Sequence, residues 1–267
     1  MPLVHPLYQC RVITVICQVR NKIEKLIYCS PFFGRLFTPR RDRATTFLDE
    51  WGLHMATTLT PEMLLSAYAS GIFPMAEHRS DEDLFWVDPR QRGILPLDGF
   101  HISRSLAKSI RSDRFTITYD VDFAGVVTGC ANREETWIND MLMTLYNQLH
   151  RARAAHSVEV WDNGVLVGGV FGITLGGAFF GESMFSHRTD ASKVALAYLV
   201  DRLAVGGFDL FDTQFITPHL ASLGGVEVSR ARYRKRLLAA LELDADIDRQ
   251  TGVSDAYSLL QRNVHTS

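Results

Sequence analysis

Three polar side chains stand where polarity is costly. Glu182 lies in GGAFFGESMFS (176–186), among glycines, phenylalanines and a methionine, and Asp212 and Gln214 interrupt the apolar run FDLFDTQF at 208–215. A carboxylate taken out of water is expensive unless something pairs with it. An acid so placed can bind an amine, hold a proton, or, with its pKa raised by desolvation, act as a base. A plainer alternative stays open on these residues alone: strand-end acids also cap loops and join surface salt bridges.

Other side chains with chemical potential are more ordinary. Trp86, Phe179, Phe180 and Phe185 read as core, whereas Trp137 sits in the polar loop TWIN, where an indole can stack on a base. Arg90 and Arg92 beside Trp86, with Arg104, Lys108 and Arg111, form one basic patch, and Arg230, Arg232, Arg234, Lys235 and Arg236 form another. Either can track phosphates or serve as a solvated face. Phe185 occupies the place of the second glycine of a Gly-x-Ser-x-Gly elbow around Ser183, so that nucleophile motif is absent. Gly168, Gly169, Gly172, Gly176, Gly177 and Gly181 fall in strands, without the following helix a phosphate loop needs. His150, His156, His187 and His219 lack metal-ligand spacing and read as surface or capping residues, so no metal is expected.

The elements that must position these groups follow from periodicity. TPEMLLSAYASG (60–71) reads as a helix capped by Thr60 and ended by Gly71. LFWVDPRQRGILPL (84–97) reads as strand and turn with its arginines pointing outward. A helix at 101–112, a strand at 115–120 and helices at 123–131 and 141–152 come next. HSVEVW (156–161), Asp162-Asn163-Gly164 and VLVGGVFGI form a hairpin, because Asn-Gly adopts positive φ cheaply. A third strand covers 178–183. The helix begun at Thr189 or Asp190 and ended at Gly206 is apolar on every side, so it is expected to be buried. A strand at 208–215, a short helix at 219–225 and a basic amphipathic helix at 230–241 complete the order. This is an α/β (α+β) pattern with helices on a mixed sheet.

Composition allows such a core. The chain has 267 residues, 46% hydrophobic and 22% charged, with a net charge of −2 that gives no global pull toward polyanions. Its four cysteines, Cys10, Cys17, Cys29 and Cys130, form no zinc or disulfide framework. No apolar run is long enough for a membrane helix. Residues 1–54 are basic and hold three of those cysteines; they read as translation from a start upstream of Met55, or as a disordered extension, with a targeting segment that lacks a signal-peptide cleavage pattern as the alternative.

The motifs TWIN (136–139), AHSVEVW (155–161), LVGGVFGI (166–173), FFGESMFS (179–186), DASKVALAYL (190–199), DTQF (212–215) and HLASLGG (219–225) closely resemble those of the leucyl/phenylalanyl-tRNA–protein transferase family. GIFP (71–74), DPR (88–90) and FHISRSL (100–106) resemble its amino-terminal part. The resemblance runs in order from about Leu59 to about Leu241. It implies a small amino-terminal domain at 55–98 and an acetyltransferase-like (GNAT-type) domain at 99–245 with a central buried helix, leaving 246–267 as a tail. It also implies a cytoplasmic, monomeric enzyme that needs no cofactor. That enzyme moves leucine, phenylalanine or, less well, methionine from aminoacyl-tRNA onto proteins beginning with arginine or lysine, marking them for N-degron degradation.

By the same resemblance Asp212, with Gln214, aligns the ester and relays or accepts the amine's proton, while Glu182 helps position the attacking α-amino group. Val170, Phe179, Met184, Leu196, Leu199, Leu203 and Phe211 wall an apolar side-chain pocket, and Gly176, Gly177 and Gly181 let backbone approach substrate. Trp137 stacks on the 3′ adenosine of tRNA. Met75 stands on its other side where the family often has tryptophan. Two rival functions remain: an acyl-CoA N-acyltransferase, whose glycine-rich phosphate loop is missing before the central helix, and an RNA-binding module without catalysis.

Overall fold

The computed structural model describes residues 59–76, 79–80, 84–112, 114–133 and 136–264. The extension expected at 1–54, and the start at Met55, lie outside the described residues. The chain falls into two compact units, 1–66 and 67–267. The described part of the first is the start of helix α1 (Pro61–Ala69), where Thr60 Oγ1 accepts from the Met63 amide at 3.3 Å, the cap expected from sequence.

In the second unit α1 ends at Gly71 (φ +80°), and β1 (Phe73–Met75) pairs antiparallel with β2 (Phe85–Val87). The remaining strands are β3 (Gln91–Ile94), β4 (Thr116–Tyr119), β5 (Ala155–Asp162), β6 (Val165–Leu175), β7 (Ala178–Ser186), β8 (Leu210–Gln214) and β9 (Val226–Ser229). They form one sheet in the order β4-β5-β6-β7-β8-β3-β9. β7 and β8 run parallel, and the other recorded pairings are antiparallel. The β5–β6 turn is the expected one, with Asn163 at φ +52° and Gly164 at +77°. The sheet is mixed, as the order of elements required.

Helices cover both faces. The sequence interleaves α2 (Arg104–Arg111), α3 (Phe123–Ala131), α4 (Asp140–Arg151), α5 (Ala191–Gly206), α6 (Pro218–Ser222), α7 (Arg230–Leu241) and α8 (Ala256–Val264) with the strands. Adjacent glycines of β6 make room for two of them. A Cβ on Gly168 would meet Ala191 of α5 at 2.6 Å, and one on Gly169 would meet Val126 of α3 at 2.9 Å. Successive strand residues face opposite ways, so α3 and α5 lie on opposite faces. α5 is the buried central helix: Val194, Leu196, Leu199 and Leu203 are at most 2% exposed and share a core with Val158, Val170 and Phe179. Asp190 precedes it in a left-handed conformation (φ +67°) and makes no capping bond, its carboxylate being engaged by Ser109 and Lys193.

Several sequence expectations change. The strand carrying Arg92 does not turn its arginines uniformly outward. β3 lies inside the large sheet between β8 and β9, with Arg92 1% exposed. Within the stretch expected to be a tail, α8 forms, and Arg262 on it grips Asp201 of α5 through two bonds of 2.6 and 2.8 Å. His156 is no surface residue. It is 5% exposed, with Nδ1 2.7 Å from Asp120 Oδ2. Gly176 sits in the β6–β7 turn (φ +55°) rather than in a strand. Gly176, Gly177 and Gly181 make room for protein, since added Cβ atoms would strike Leu241, Leu243 and the Phe211 ring.

Candidate active site

Glu182 and Asp212 both owe their placement to irregularities in strand pairing. Between β6 and β7, Phe171 opposes Ser183 while Gly172 opposes Gly181, so Glu182 is the extra residue of a β-bulge. The bulge also resets the pleat: Phe179 and Met184, an odd number apart, both join the core under α5. Between β3 and β8, Gly93 opposes Gln214 and Ile94 opposes Asp212, which leaves Thr213 as the extra residue and Gln214 at φ +58°. The parallel β7–β8 pairing is recorded as far as the rung Phe180–Asp212. Glu182, midway along β7, and Gln214, at the carboxyl end of β8, therefore lie past the point where the two parallel strands stop pairing, the kind of place where open α/β sheets leave a crevice.

The two acids have opposite environments. Asp212 is wholly buried and its oxygens are occupied: Oδ1 accepts from Arg92 Nε at 2.8 Å and from the Gln214 amide at 2.9 Å. Oδ2 accepts from Arg92 Nη2 at 2.6 Å and from the Tyr233 hydroxyl at 2.7 Å. The Arg92 guanidinium lies 4.5 Å from the centroids of both the Phe73 and Tyr233 rings, and its Nη1 donates to the Gly71 carbonyl at 3.1 Å. Burial works against the Arg92 charge, but the bonds to Asp212 outweigh it and hold the pKa above its ordinary value. Burial, reinforced by the Asp212 charge, pushes the Tyr233 hydroxyl far above the usual phenol range. This carboxylate is held in place by four hydrogen bonds.

Glu182 is under-supplied by comparison. Its Oε2 accepts from the Tyr146 hydroxyl at 2.7 Å, and its Oε1 is buried without a hydrogen-bond partner. Burial pushes its pKa up to about 7, against the lowering effect of Tyr146 and Tyr68 and with a further rise from the Asp212 charge. Tyr68, fully buried against the Phe180 ring, has a hydroxyl with no partner at normal distance, although it interacts with Glu182. A carboxyl that titrates near neutrality with an unused oxygen is suited to exchanging protons.

The other sequence-selected residues fall into separate groups. Val170, Phe179, Leu196, Leu199, Leu203 and Phe211 are buried in one core cluster, with Met184 partly exposed at its margin. Val170 and Met184 are cross-strand partners, and Phe179 meets Phe211 edge to face at 5.1 Å. Trp137 is half-buried and edge-on to Tyr146 at 6.4 Å, so the indole and Glu182 touch the same tyrosine. Met75 ends β1 opposite Phe85.

Sequence reasoning missed Arg92, Tyr233, Tyr146 and Tyr68. The signals were present but indirect. Arg92 opens the apolar run Gly93-Ile94-Leu95, and Tyr233 shares an i, i+4 stripe with Leu237 in an otherwise basic helix. An apolar strand carrying Asp212 needed a cation somewhere.

Residues 94–238 match the family model described as leucyl/phenylalanyl-tRNA protein transferase, and residues 57–90 match that of its amino-terminal domain. The chain belongs to this family. A leucyl/phenylalanyl-tRNA–protein transferase of Ruegeria sp. (strain TM1040) is 62% identical over 210 residues, covering 79% of this chain and 100% of that protein. One of Roseobacter denitrificans (strain ATCC 33942 / OCh 114) is 65% identical over 182 residues, covering 68% and 87%. Among solved structures, that of L-PGS from Bacillus licheniformis is similar at 15% identity and a TM-score of 0.35, covering 60% of this chain and 55% of that one. Family membership favours neither rival, the acyl-CoA enzyme nor the non-catalytic RNA binder. No helix among the described residues is long and apolar enough to cross a membrane.

Proposed function

We propose that the Glu182–Asp212 centre carries the reaction of the family, with Glu182 as the proton acceptor and Asp212 as a fixed anchor for Arg92 and Gln214. The enzyme transfers leucine, phenylalanine or methionine from aminoacyl-tRNA to the α-amino group of a protein beginning with arginine or lysine. The product enters N-degron degradation in the cytoplasm. The acetyltransferase-like reading of the large sheet belongs to the same proposal, supported by a parallel strand pair joined through a buried crossover helix.

The chemistry needs a neutral amine, an aligned ester and a place for the developing oxyanion. The amine nitrogen sits against Glu182 Oε1 and attacks the ester carbonyl, forming the C–N bond. Its proton passes to the Glu182 carboxylate. Collapse breaks the ester C–O bond, and the ribose oxygen leaves with the proton returned from Glu182. The Gln214 carboxamide and the Tyr68 hydroxyl are the donors assigned to the oxyanion. Asp212 cannot take the proton without surrendering bonds to Arg92 and Tyr233, so it serves to fix the Arg92 guanidinium and to hold Gln214 in place.

The donor side chain enters beside Met184 among Val170, Phe179, Leu196, Leu199, Leu203 and Phe211. A flexible thioether and leucines accept unbranched or γ-branched side chains. Trp137 stacks on the terminal adenosine, with Met75 on the opposite side. The observation that carries the proposal is the unpartnered Glu182 oxygen beside an Asp212 whose oxygens are all engaged. Incubation with Phe-tRNA and a peptide beginning with arginine is expected to give a product heavier by one phenylalanine. A folded sample that leaves the peptide unchanged would sink the reading.

A further inference from the structure

Arg90 of one basic patch and Arg230 and Arg234 of the other, about 140 residues away in sequence, converge on one surface. The Arg230 amide donates to the Arg90 carbonyl at 3.0 Å, and Arg230 Nε lies 3.1 Å from Asp88 Oδ1. Arg234, one turn further along α7, reaches Asp88 Oδ2 at 2.7 Å. One acid thus braces two arginines, and Arg90 beside them is exposed. Asp88 directly follows β2, whose Phe85 and Trp86 are 44% and 39% exposed. Cations beside solvent-facing aromatic rings suit single-stranded nucleic acid, whose phosphates meet the charges while unpaired bases lie on the rings.

The surface is continuous with the reaction centre. The strand that sends Arg92 inward to Asp212 is preceded by exposed Arg90, and the helix that sends Tyr233 inward carries Arg230 and Arg234 on its flank. Gly71, whose carbonyl takes Arg92 Nη1, packs against Tyr233 and Arg234. An acceptor protein that begins with a cation is repelled by such a patch, whereas the donor's phosphates are attracted to it. We infer that Phe85, Trp86, Arg90, Arg230 and Arg234 form a landing surface for the 3′ end of tRNA upstream of the terminal adenosine. Arg90 and the two braced arginines contact phosphates, and Trp86 stacks on an unpaired base. The assignment rests on the function proposed above.

The test is binding of uncharged tRNA across a salt series, with the full chain. Arg90→Ala/Arg234→Ala is expected to weaken binding about tenfold and to flatten the dependence of log affinity on log salt by about 1.5, near 0.7–0.9 per lost phosphate contact. Arg90→Lys/Arg234→Lys is expected to restore most of both, which separates charge from folding. Trp86→Ala is expected to weaken binding of intact tRNA but not of tRNA trimmed of its CCA end. Unchanged affinity and slope in the alanine pair would overturn the phosphate track, and equal Trp86 effects on intact and trimmed tRNA would overturn the stacking. Wild-type binding to anionic phospholipid vesicles, lost in the alanine pair while tRNA binding is kept, would assign the patch to a membrane surface instead. Phenylalanyl-adenosine, which lacks those phosphates, distinguishes the two readings: failure of the native enzyme to use it counts against the Glu182 centre, whatever the salt slopes show.

Discussion

Arg92 closes a two-pronged ion pair on Asp212, Nε to Oδ1 at 2.8 Å and Nη2 to Oδ2 at 2.6 Å, with both side chains out of water. Breaking such a pair from one side leaves an uncompensated charge and costs about 3–5 kcal/mol. Asp212→Asn is therefore expected to lower the melting temperature as well as the activity. Replacing both partners with apolar residues, Arg92→Met with Asp212→Leu, is expected to recover much of the stability and none of the turnover. Thermal melts of the two singles and the double measure the coupling, and additive losses would show that the pair is not what stabilises this corner.

Glu182 carries the opposite signature. Its folded pKa, about 7, lies above the 4.5 of an ordinary glutamate, so the fold favours the protonated acid. That contribution is complete below about pH 4.5 and is lost as pH rises through 7. Glu182→Gln, which keeps an acceptor for Tyr146, is expected to be more stable than the native protein by about 1–3 kcal/mol at pH 8 and to show little difference at pH 4.5. Melts at the two pH values check the sign. A destabilised variant at pH 8 would mean that the carboxylate is better solvated than its burial implies.

Tyr146 donates to Glu182 Oε2 at 2.7 Å and so favours the charged form. Tyr146→Phe is expected to raise the Glu182 pKa further and to move the midpoint of the pH–rate profile to higher pH. A merely structural tyrosine would lower the rate at every pH without moving the midpoint.

In the function proposed above, Trp137 stacks on the donor's terminal base. Trp137→Ala is expected to raise the KM for aminoacyl-tRNA about 5- to 150-fold, corresponding to about 1–3 kcal/mol per stacked base, with a smaller effect on kcat. Trp137→Phe is expected to retain much of the affinity, and an unchanged KM in the alanine variant would move the adenosine elsewhere.

How much of this was legible in the sequence depends on the range of the interaction. The β5–β6 hairpin, the capped start of α1 and the all-round apolar α5 are local patterns, and each was readable from a window of ten to twenty residues. The acids were readable too, because a carboxylate among phenylalanines stands out. Their partners were not: Arg92 and Asp212 are 120 residues apart, and no local period joins them. Register was equally hidden. The bulge at Glu182 depends on which residue of β6 faces Gly181, and from spacing alone Phe179 and Met184 would lie on opposite faces. α8 went unread because its anchor, Asp201, lies on a helix 55 residues earlier.

The most direct measurement is the single-turnover rate of phenylalanine transfer from Phe-tRNA to an arginine-led peptide, followed from pH 5.5 to 9 in the native enzyme and in Glu182→Gln. The native rate is expected to rise through an apparent pKa near 7, on top of the acceptor amine's own titration near 8. The variant is expected to keep only the latter step, at a rate about 10²–10⁴-fold lower. A variant within threefold of the native rate and with the same pH profile, a margin about the size of ordinary context effects, would contradict Glu182 as the proton acceptor.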